Sequence, residues 1–203
     1  MSNIPEKKAH IFKKYIMLIN SFKQIEHLRL LDIGCANGVF IDLVNQQQNK
    51  CYGIDIDAEA VSNYKRNQRS DNKVEVCDIN AATNDFPFKN TGFDVITCFD
   101  VIEHLFNFNN LGLIIRNNLK NDGLFVITTP NANALEKLFN KNYSGEYDKS
   151  HKILFTPYTL DFFLRRMGLK KVILFTPYIF MFTPNLFNKK MTFGGQILGI
   201  YKK

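Results

Sequence analysis

The first apolar residues of the chain recur at helical spacing. Within residues 5–22 they fall on one face of a helix: Ile11, Phe12, Tyr15, Ile16, Ile19 and Phe22. Apolar positions three and four residues apart are typical of an amphipathic helix. We therefore expect an N-terminal helix, within residues 1–25, that packs on the rest of the chain through this face.

Short apolar runs follow at intervals along the remaining chain. They predict seven strands: Leu28–Ile33, Cys51–Ile56, Val74–Cys77, Phe93–Phe99, Gly123–Thr128, Val172–Phe175 and Gln196–Tyr201. Each run is short, apolar and bounded by turn-forming or polar residues, which is typical of buried strands.

Segments of helical periodicity separate most of these runs. The predicted helices are Val39–Gln48, Glu59–Asn67, Leu111–Leu119 and Pro157–Met167. In the last of them, Thr156 is a candidate N-cap and Gly168 a C-terminal stop. Strands that alternate with helices predict an α/β fold with a mainly parallel sheet and a site at the carboxyl ends of the strands.

Length and charge bear on the number of domains and on the kind of partner. A chain of 203 residues suits one domain, so we expect residues 1–203 to form a single domain. The net charge of +7 would fit an anionic partner, but the lysines and arginines are scattered along the chain. A solvated surface is the better interpretation, and no nucleic-acid partner is expected.

The cysteines and the chain start bear on location. Cys35, Cys51, Cys77 and Cys98 form no C-x-x-C pair, so zinc spacing is absent and no metal is predicted. Each lies in or beside an apolar run, as expected of reduced thiols in a cytosolic protein. The start MSNIPEKKAH lacks a signal-peptide core, and no stretch approaches the ~20 apolar residues of a membrane span. A cytoplasmic location without a transmembrane segment is therefore expected.

The segment LLDIGCANG at 30–38 carries the strongest chemical signal. A strand ends at an acid, and the turn that follows has small residues at Gly34, Ala36 and Gly38, which permit unusual backbone angles and close ligand approach. A dinucleotide site would instead need G-x-G-x-x-G and a place for pyrophosphate at the helix start. Asp32 would oppose that pyrophosphate. A ligand with a positive centre and an amino-acid tail, such as S-adenosylmethionine, fits better.

Acids also follow the second and third strands. Asp55 closes the second strand, where a carboxylate can accept hydrogen bonds from both ribose hydroxyls. Asp78 follows the third strand and can accept from an adenine amino group, with Ile56 and Ile79 on either side of the ring. Asp57 is better explained as a helix cap, and Asp78 has the alternative of an ordinary turn acid.

Together DIGCANG, GIDID, VCDIN and FDVITCFDVIEHL resemble the class I S-adenosylmethionine-dependent methyltransferases. The chain is similar to their ubiquinone-biosynthesis and sugar-tailoring branch from about residue 28 to its end. The resemblance implies a Rossmann-like, seven-stranded, mainly parallel sheet with an antiparallel last strand and helices on both faces. It also implies a cofactor-binding half, 28–130, and an acceptor-side half, 131–203.

The same resemblance implies the cofactor contacts. It assigns the methionine end to the first turn, the ribose to the end of the second strand, the adenine to the end of the third, and the sulfonium region to the end of the fourth. The residues are Asp32, Gly34, Cys35, Gly38, Asp55, Ile56, Asp78, Ile79 and Phe99. Ala36 departs from the family, which often has glycine there, and its methyl group narrows the loop.

Three residues are candidates for the base that an oxygen acceptor needs. They are His151, His104 and Glu103. The ordinary histidine pKa of ~6.5 suits proton transfer near neutral pH. The alternatives are a surface histidine at 151 and, for Glu103 and His104, the start of a helix.

The preferred acceptor is a small-molecule hydroxyl on a metabolite or sugar, followed by a lipid-linked or quinone-type ring and then by protein or RNA. A non-catalytic cofactor-binding protein and an NAD-dependent oxidoreductase are the alternative functions. Two long connections reach the expected acceptor side: Asn131–Ile153, interpreted as a lid, and the aromatic segment Tyr178–Gly195.

Overall fold

The fold comes from a computed structural model that describes residues 6–46, 48–67, 71–81, 86–135, 148–177 and 194–203. The aromatic segment at 178–193 and most of the expected lid, 136–147, lie outside the described residues.

The strands form one sheet of seven in the order β3-β2-β1-β4-β5-β7-β6. They are β1 Arg29–Ile33, β2 Lys50–Asp55, β3 Lys73–Val76, β4 Phe93–Phe99, β5 Leu119–Pro130, β6 Lys170–Phe175 and β7 Gln196–Lys202. The pairs from β3 to β5 are parallel, and β7 runs antiparallel to both of its neighbours. The predicted fold class is confirmed, including the antiparallel last strand.

The helices also follow the prediction closely. They are α1 Glu6–Asn20, α2 Val39–Asn45, α3 Ala58–Asn67, α4 Phe108–Asn118 and α5 Pro157–Arg166, with a short 3-10 helix at Ile102–His104. Thr156 caps α5 by accepting a hydrogen bond from the Thr159 N–H at 3.1 Å, and Gly168 follows that helix with a left-handed φ of 89°.

The largest boundary difference is at the start of β5. The strand begins at Leu119, where a predicted helix ended, rather than at Gly123. Leu119 pairs with Phe93 of β4, and the register then shifts before Val95 pairs with Leu124. Pairing with the neighbouring strand, which local periodicity does not report, draws these residues out of α4.

Side-chain alternation along the central strands builds two cores. Leu31, Ile96 and Ile127 face one cluster, and their chain neighbours Leu30 and Val126 face the other. The first cluster includes α4 and α5, and the second includes α1, α2 and α3. Since successive side chains of a strand point to opposite faces, helices cover both faces of the sheet, as predicted.

Candidate active site

The turn after β1 is shaped by left-handed backbone at three positions. The φ angles are 79° at Gly34, 45° at Ala36 and 72° at Gly38. A Cβ at Gly34 would collide with the Val101 side chain, and one at Gly38 with the Tyr64 ring. Packing within the protein therefore requires both glycines, in addition to any ligand approach, and Ala36 adopts the same left-handed region despite its methyl group.

Asp32 lies under this turn as a buried carboxyl. Its Oδ1 accepts a hydrogen bond from the Thr97 hydroxyl of β4 at 2.7 Å, and only 3% of the residue is exposed. Burial raises the pKa of Asp32 to about 7; the Thr97 hydrogen bond opposes that rise, the nearby Asp55 charge adds to it, and Lys8 on α1 opposes it. A buried carboxylate is stabilised by a cation, which is the chemistry predicted for this position.

Asp55 combines an ordinary turn role with a brace to the first turn that the sequence did not predict. Its Oδ2 accepts from the Ala36 N–H at 2.7 Å, and its Oδ1 accepts from the Asp57 N–H at 2.9 Å. A carboxylate has about four lone-pair sites, so these two bonds leave acceptor capacity for hydroxyls. Asp57 caps α3 by accepting from the N–H groups of Glu59 and Ala60, as predicted.

The three residues predicted to contact adenine differ in exposure. Asp78 is exposed and accepts from the Asn80 N–H at 2.8 Å, which is the turn role left as its alternative. Ile56 is 64% exposed, whereas Ile79 is 7% exposed and packs in the core. Ile56 is therefore available to a flat ring, whereas Ile79 is mostly covered by the protein, and both adenine contacts stay predictions.

Two further predicted residues serve the core. The Cys35 side chain is buried in the core cluster that includes α1, α2 and α3. The Cys35 N–H donates to the Ile54 carbonyl, and the Cys35 carbonyl accepts from the Gly38 N–H. Phe99 packs against rings of α1 and α2, with centroid distances of 5.9 Å to Phe12 and 5.0 Å to Phe40. Both side chains have packing partners in the protein, and their predicted contacts with the cofactor stay predictions.

Sequence reasoning missed a hydrogen-bond chain that fixes α1 over the carboxyl end of the sheet. The Tyr15 hydroxyl donates to Gln196 Oε1 at 3.1 Å, and Gln196 Nε2 donates to Asp100 Oδ1 at 2.6 Å. Thr128 of β5 donates to the same Asp100 oxygen at 3.0 Å. Asp100 has a left-handed φ of 54°; its position beyond β4 was the only sequence signal for this role.

The tertiary structure brings the three candidate bases together. Potential ligand atoms of Glu103, His104 and His151 all lie within 4.8 Å of one another. The two imidazole rings meet edge to face with centroids 4.8 Å apart. His104 belongs to the 3-10 helix after β4, whereas His151 arrives from a distant part of the chain, so sequence spacing gave no sign of the cluster.

Glu103 is the buried member of this cluster. It is 1% exposed, and its Oε2 accepts from the Thr129 hydroxyl of β5 at 2.9 Å. Burial raises the pKa of Glu103 to about 7; its backbone hydrogen bond opposes the rise, and the Asp100 charge adds to it. Within the described residues, Glu103 Oε1 is buried without a hydrogen-bond partner.

Main-chain bonds hold His151 in place. The N–H groups of Lys152 and Ile153 reach the Glu103 carbonyl at 2.7 and 3.3 Å. At the other end of the long connection, the Ala132 N–H donates to the Phe155 carbonyl at 2.7 Å. Both described ends of the expected lid are therefore held by main-chain hydrogen bonds, one to the 3-10 helix and the other to Phe155.

Among the described helices, none has both the length and the apolar character needed to cross a bilayer.

Comparison with known proteins agrees with this architecture. The profile of a family described as a methyltransferase domain matches residues 8–173. The chain is 28% identical over 184 residues to an uncharacterized protein of Methanocaldococcus jannaschii, covering 89% of this chain and 74% of that one. It is also 32% identical over 111 residues to the ubiquinone biosynthesis O-methyltransferase of Glaesserella parasuis, covering 52% of this chain and 47% of that protein.

A solved structure supports the fold. The crystal structure of a SAM-dependent methyltransferase from Archaeoglobus fulgidus superposes with a TM-score of 0.70 and 22% identity, over 98% of this chain and 94% of that one.

Proposed function

This chain belongs to the methyltransferase-domain family and uses S-adenosyl-L-methionine as its methyl donor, and from that premise we propose that its acceptor is a hydroxyl group of a small molecule. One observation carries the proposal: a carboxyl and two imidazoles converge beside the carboxyl end of β4. Such groups suit an acceptor that must lose a proton. A metabolite, a sugar and a quinone-type ring all offer such a hydroxyl.

The first turn fits the donor on chemical grounds. S-adenosylmethionine, when bound, supplies a methyl group already activated by its sulfonium. Asp32 offers a buried carboxyl whose pKa is raised mainly by burial, and a cation beside it would stabilise its charged form. We assign it with Gly34 and Gly38 to the methionine end. Asp55 retains acceptor capacity for the ribose. We keep Asp78 and the exposed Ile56 as the adenine contacts.

The acceptor side then needs positioning and proton removal. The bound donor would supply the methyl group, and the electron pair of its sulfur–carbon bond would stay on sulfur as the acceptor oxygen takes the methyl carbon. The hydroxyl proton passes to the cluster of Glu103, His104 and His151 or to a group held by it. General base catalysis contributes roughly 10²–10⁴-fold, and alignment of the reacting atoms contributes further.

Relatives favour an oxygen acceptor. Two similar proteins are named ubiquinone biosynthesis O-methyltransferases, at 32% and 25% identity. The chain covers 47% and 67% of their lengths, so their substrate is not carried over. Nucleic acid stays outside the proposal, because lysines and arginines are scattered along the sequence.

The acceptor can be identified directly. The protein would be incubated with isotope-labelled S-adenosylmethionine and an extract of small metabolites, and products would be separated and weighed. We expect one labelled compound, heavier than its precursor by one CH₂ unit, whose methyl group sits on oxygen. Label found only on nitrogen, on carbon or in macromolecules would contradict the proposal. The background level of labelling is measured with an Asp32→Asn variant, which should bind the donor less tightly.

A further inference from the structure

We propose that Glu103, His104 and His151 bind a divalent first-row metal ion such as Zn²⁺ or Mn²⁺. The inference deepens the proposed function, since it says how the cluster would act on an acceptor oxygen. Two imidazoles and one carboxylate are a ligand set that such ions accept, with further positions left for water or substrate. The sequence predicted no metal because these ligands do not follow a recognisable spacing.

The three side chains lie near enough to converge on one ion. Metal–nitrogen and metal–oxygen bonds of about 2.0–2.2 Å place the ligand atoms of a tetrahedral ion about 3.3–3.6 Å apart. The three candidate ligand atoms lie within 4.8 Å of one another. Binding would therefore draw the side chains inward by rotation about their own bonds.

One carboxylate oxygen of Glu103 is unsatisfied within the described part of the chain. Its Oε2 accepts from the Thr129 hydroxyl, but its buried Oε1 has no hydrogen-bond partner among the described residues. A buried polar atom without a partner is unfavourable. A cation between the carboxylate and the imidazoles would supply the missing interaction, while Thr129 would fix the carboxylate orientation.

A hydrogen bond orients His104, and a carboxylate lies near His151 beyond hydrogen-bond distance. His104 Nδ1 lies 3.2 Å from the Ser150 carbonyl oxygen, which can only accept, so Nδ1 donates and Nε2 carries the lone pair. His151 Nε2 lies 3.8 Å from the Asp148 carboxylate. Imidazoles that ligate metals usually have such a carbonyl or carboxylate partner, which raises ligand basicity.

Hydrogen bonds within the protein preorganise the three side chains. The main-chain bonds from Lys152 and Ile153 to the Glu103 carbonyl fix the His151 segment against the 3-10 helix. Asp100 adds negative charge near Glu103. An ion held here could bind the acceptor oxygen and lower its pKa, which is a recognised action of metal ions in catalysis.

Metal binding is measurable without turnover. The full chain would be stripped with a chelator and then titrated calorimetrically with Zn²⁺ and with Mn²⁺, with Mg²⁺ as a hard comparison ion. We expect one Zn²⁺ or Mn²⁺ per chain. His151→Ala and Glu103→Gln should each weaken binding by at least about 100-fold, beyond the 10–100-fold typical of outer-shell changes. Asp148→Asn should weaken it by about tenfold.

A matched control removes an imidazole elsewhere. His27 is exposed and has a left-handed φ of 54°, which asparagine tolerates, so His27→Asn should leave the affinity unchanged. Substitution with Co²⁺ gives a second measurement, because its visible absorption should appear in the native chain and disappear in His151→Ala. Circular dichroism checks that each variant is folded.

The outcomes separate the two proposals. Absence of binding, or binding unchanged by both His151→Ala and Glu103→Gln, overturns the metal site. If no ion binds but His151→Ala still abolishes methylation of a hydroxyl, the proposed function stands with the cluster as a proton acceptor. If the ion binds to these residues and methylation occurs on nitrogen or carbon, the metal site stands and the proposed acceptor is wrong.

Discussion

Asp32 and Glu103 are two buried carboxyls with similar local support and different surroundings. Each accepts a hydrogen bond from a threonine hydroxyl on the next strand of the sheet, Thr97 at 2.7 Å and Thr129 at 2.9 Å. Burial raises the pKa of both to about 7. Burial beside a neighbouring strand therefore does not distinguish their functions.

Their neighbours do distinguish them. Asp32 lies under a glycine-containing turn, and the charged groups that act on its pKa are Asp55 and Lys8. Glu103 lies beside two imidazoles. The first arrangement suits an organic cation that brings its own charge, whereas the second suits a proton or a metal ion. Substitutions at the Asp32 side should therefore lower affinity for the donor, whereas substitutions at the Glu103 side should lower turnover.

The largest expected effect is on turnover at the Glu103 side. His151→Ala should lower kcat by about 10²-fold or more, because the acceptor loses a group that removes its proton or holds the ion that does so. Affinity for the donor should stay within twofold of the native value (roughly 0.4 kcal/mol). Steady-state kinetics on the identified acceptor and calorimetry with the demethylated donor measure the two quantities. Normal turnover would reduce His151 to a structural residue.

The next effect is on donor affinity at the Asp32 side. Asp32→Asn keeps an acceptor for Thr97 but removes the charge opposite the cationic donor. Affinity should fall by about 10–100-fold, since hydrogen bonds to charged groups contribute ~1.5–3 kcal/mol. Zn²⁺ affinity at the other site should not change. Calorimetric titration of both ligands into one preparation checks this separation, and a parallel loss of both affinities would show that the sites are not independent.

Stability should depend on pH through Asp32. Its folded pKa of about 7 exceeds its ordinary unfolded value of ~3.9, so the folded state holds the extra proton between these values. Raising the pH through that interval should therefore lower the free energy of unfolding, by roughly 4 kcal/mol at most. Asp55 and Lys8 face the same carboxyl and modulate the size of the effect.

Comparison with Asp32→Asn isolates this contribution. Without donor, the variant should gain stability relative to the native chain as the pH rises from 5 to 8 (about the range in which Asp32 ionises). Urea unfolding at several pH values measures the difference. A difference that stays constant with pH would show that Asp32 is already ionised at the acidic end.

A smaller effect is expected where one residue serves both the turn and the ligand. Asp55→Ala removes the acceptor for the Ala36 N–H and an acceptor for the ribose, so donor affinity should fall by at least about tenfold. Asp57→Ala is the matched control. It should destabilise the protein by ~1 kcal/mol through loss of the α3 cap without a comparable loss of affinity. The opposite ranking would move the ribose role to Asp57.

The smallest effect concerns the docking of α1. Tyr15→Phe removes only the hydrogen bond to Gln196 and keeps the ring that packs on Phe99. Stability should fall by ~1 kcal/mol, and hydrogen exchange in α1 should become faster. Unchanged exchange would show that aromatic packing alone holds the helix.

Predictions from local pattern succeeded where the determining interactions are local. Alternation and apolar runs predicted all seven strands, and Phe93–Phe99 was predicted to the residue. Asp57 and Thr156 were recognised as caps because a cap bonds N–H groups two or three residues away. The start of β5 was misjudged, since it depends on pairing with β4.

The sequence by itself determined the α/β fold, the turn at Gly34–Gly38 and the acids that follow the first strands, because each depends on periodicity or on residues adjacent in the chain. Only the tertiary structure decided which partners those acids have. It buried Asp32 against Thr97, made Asp55 a brace for the turn and brought His151 to Glu103 and His104. These contacts join residues far apart in the chain, and their distances are set by how the strands pair and the connections fold back on the sheet.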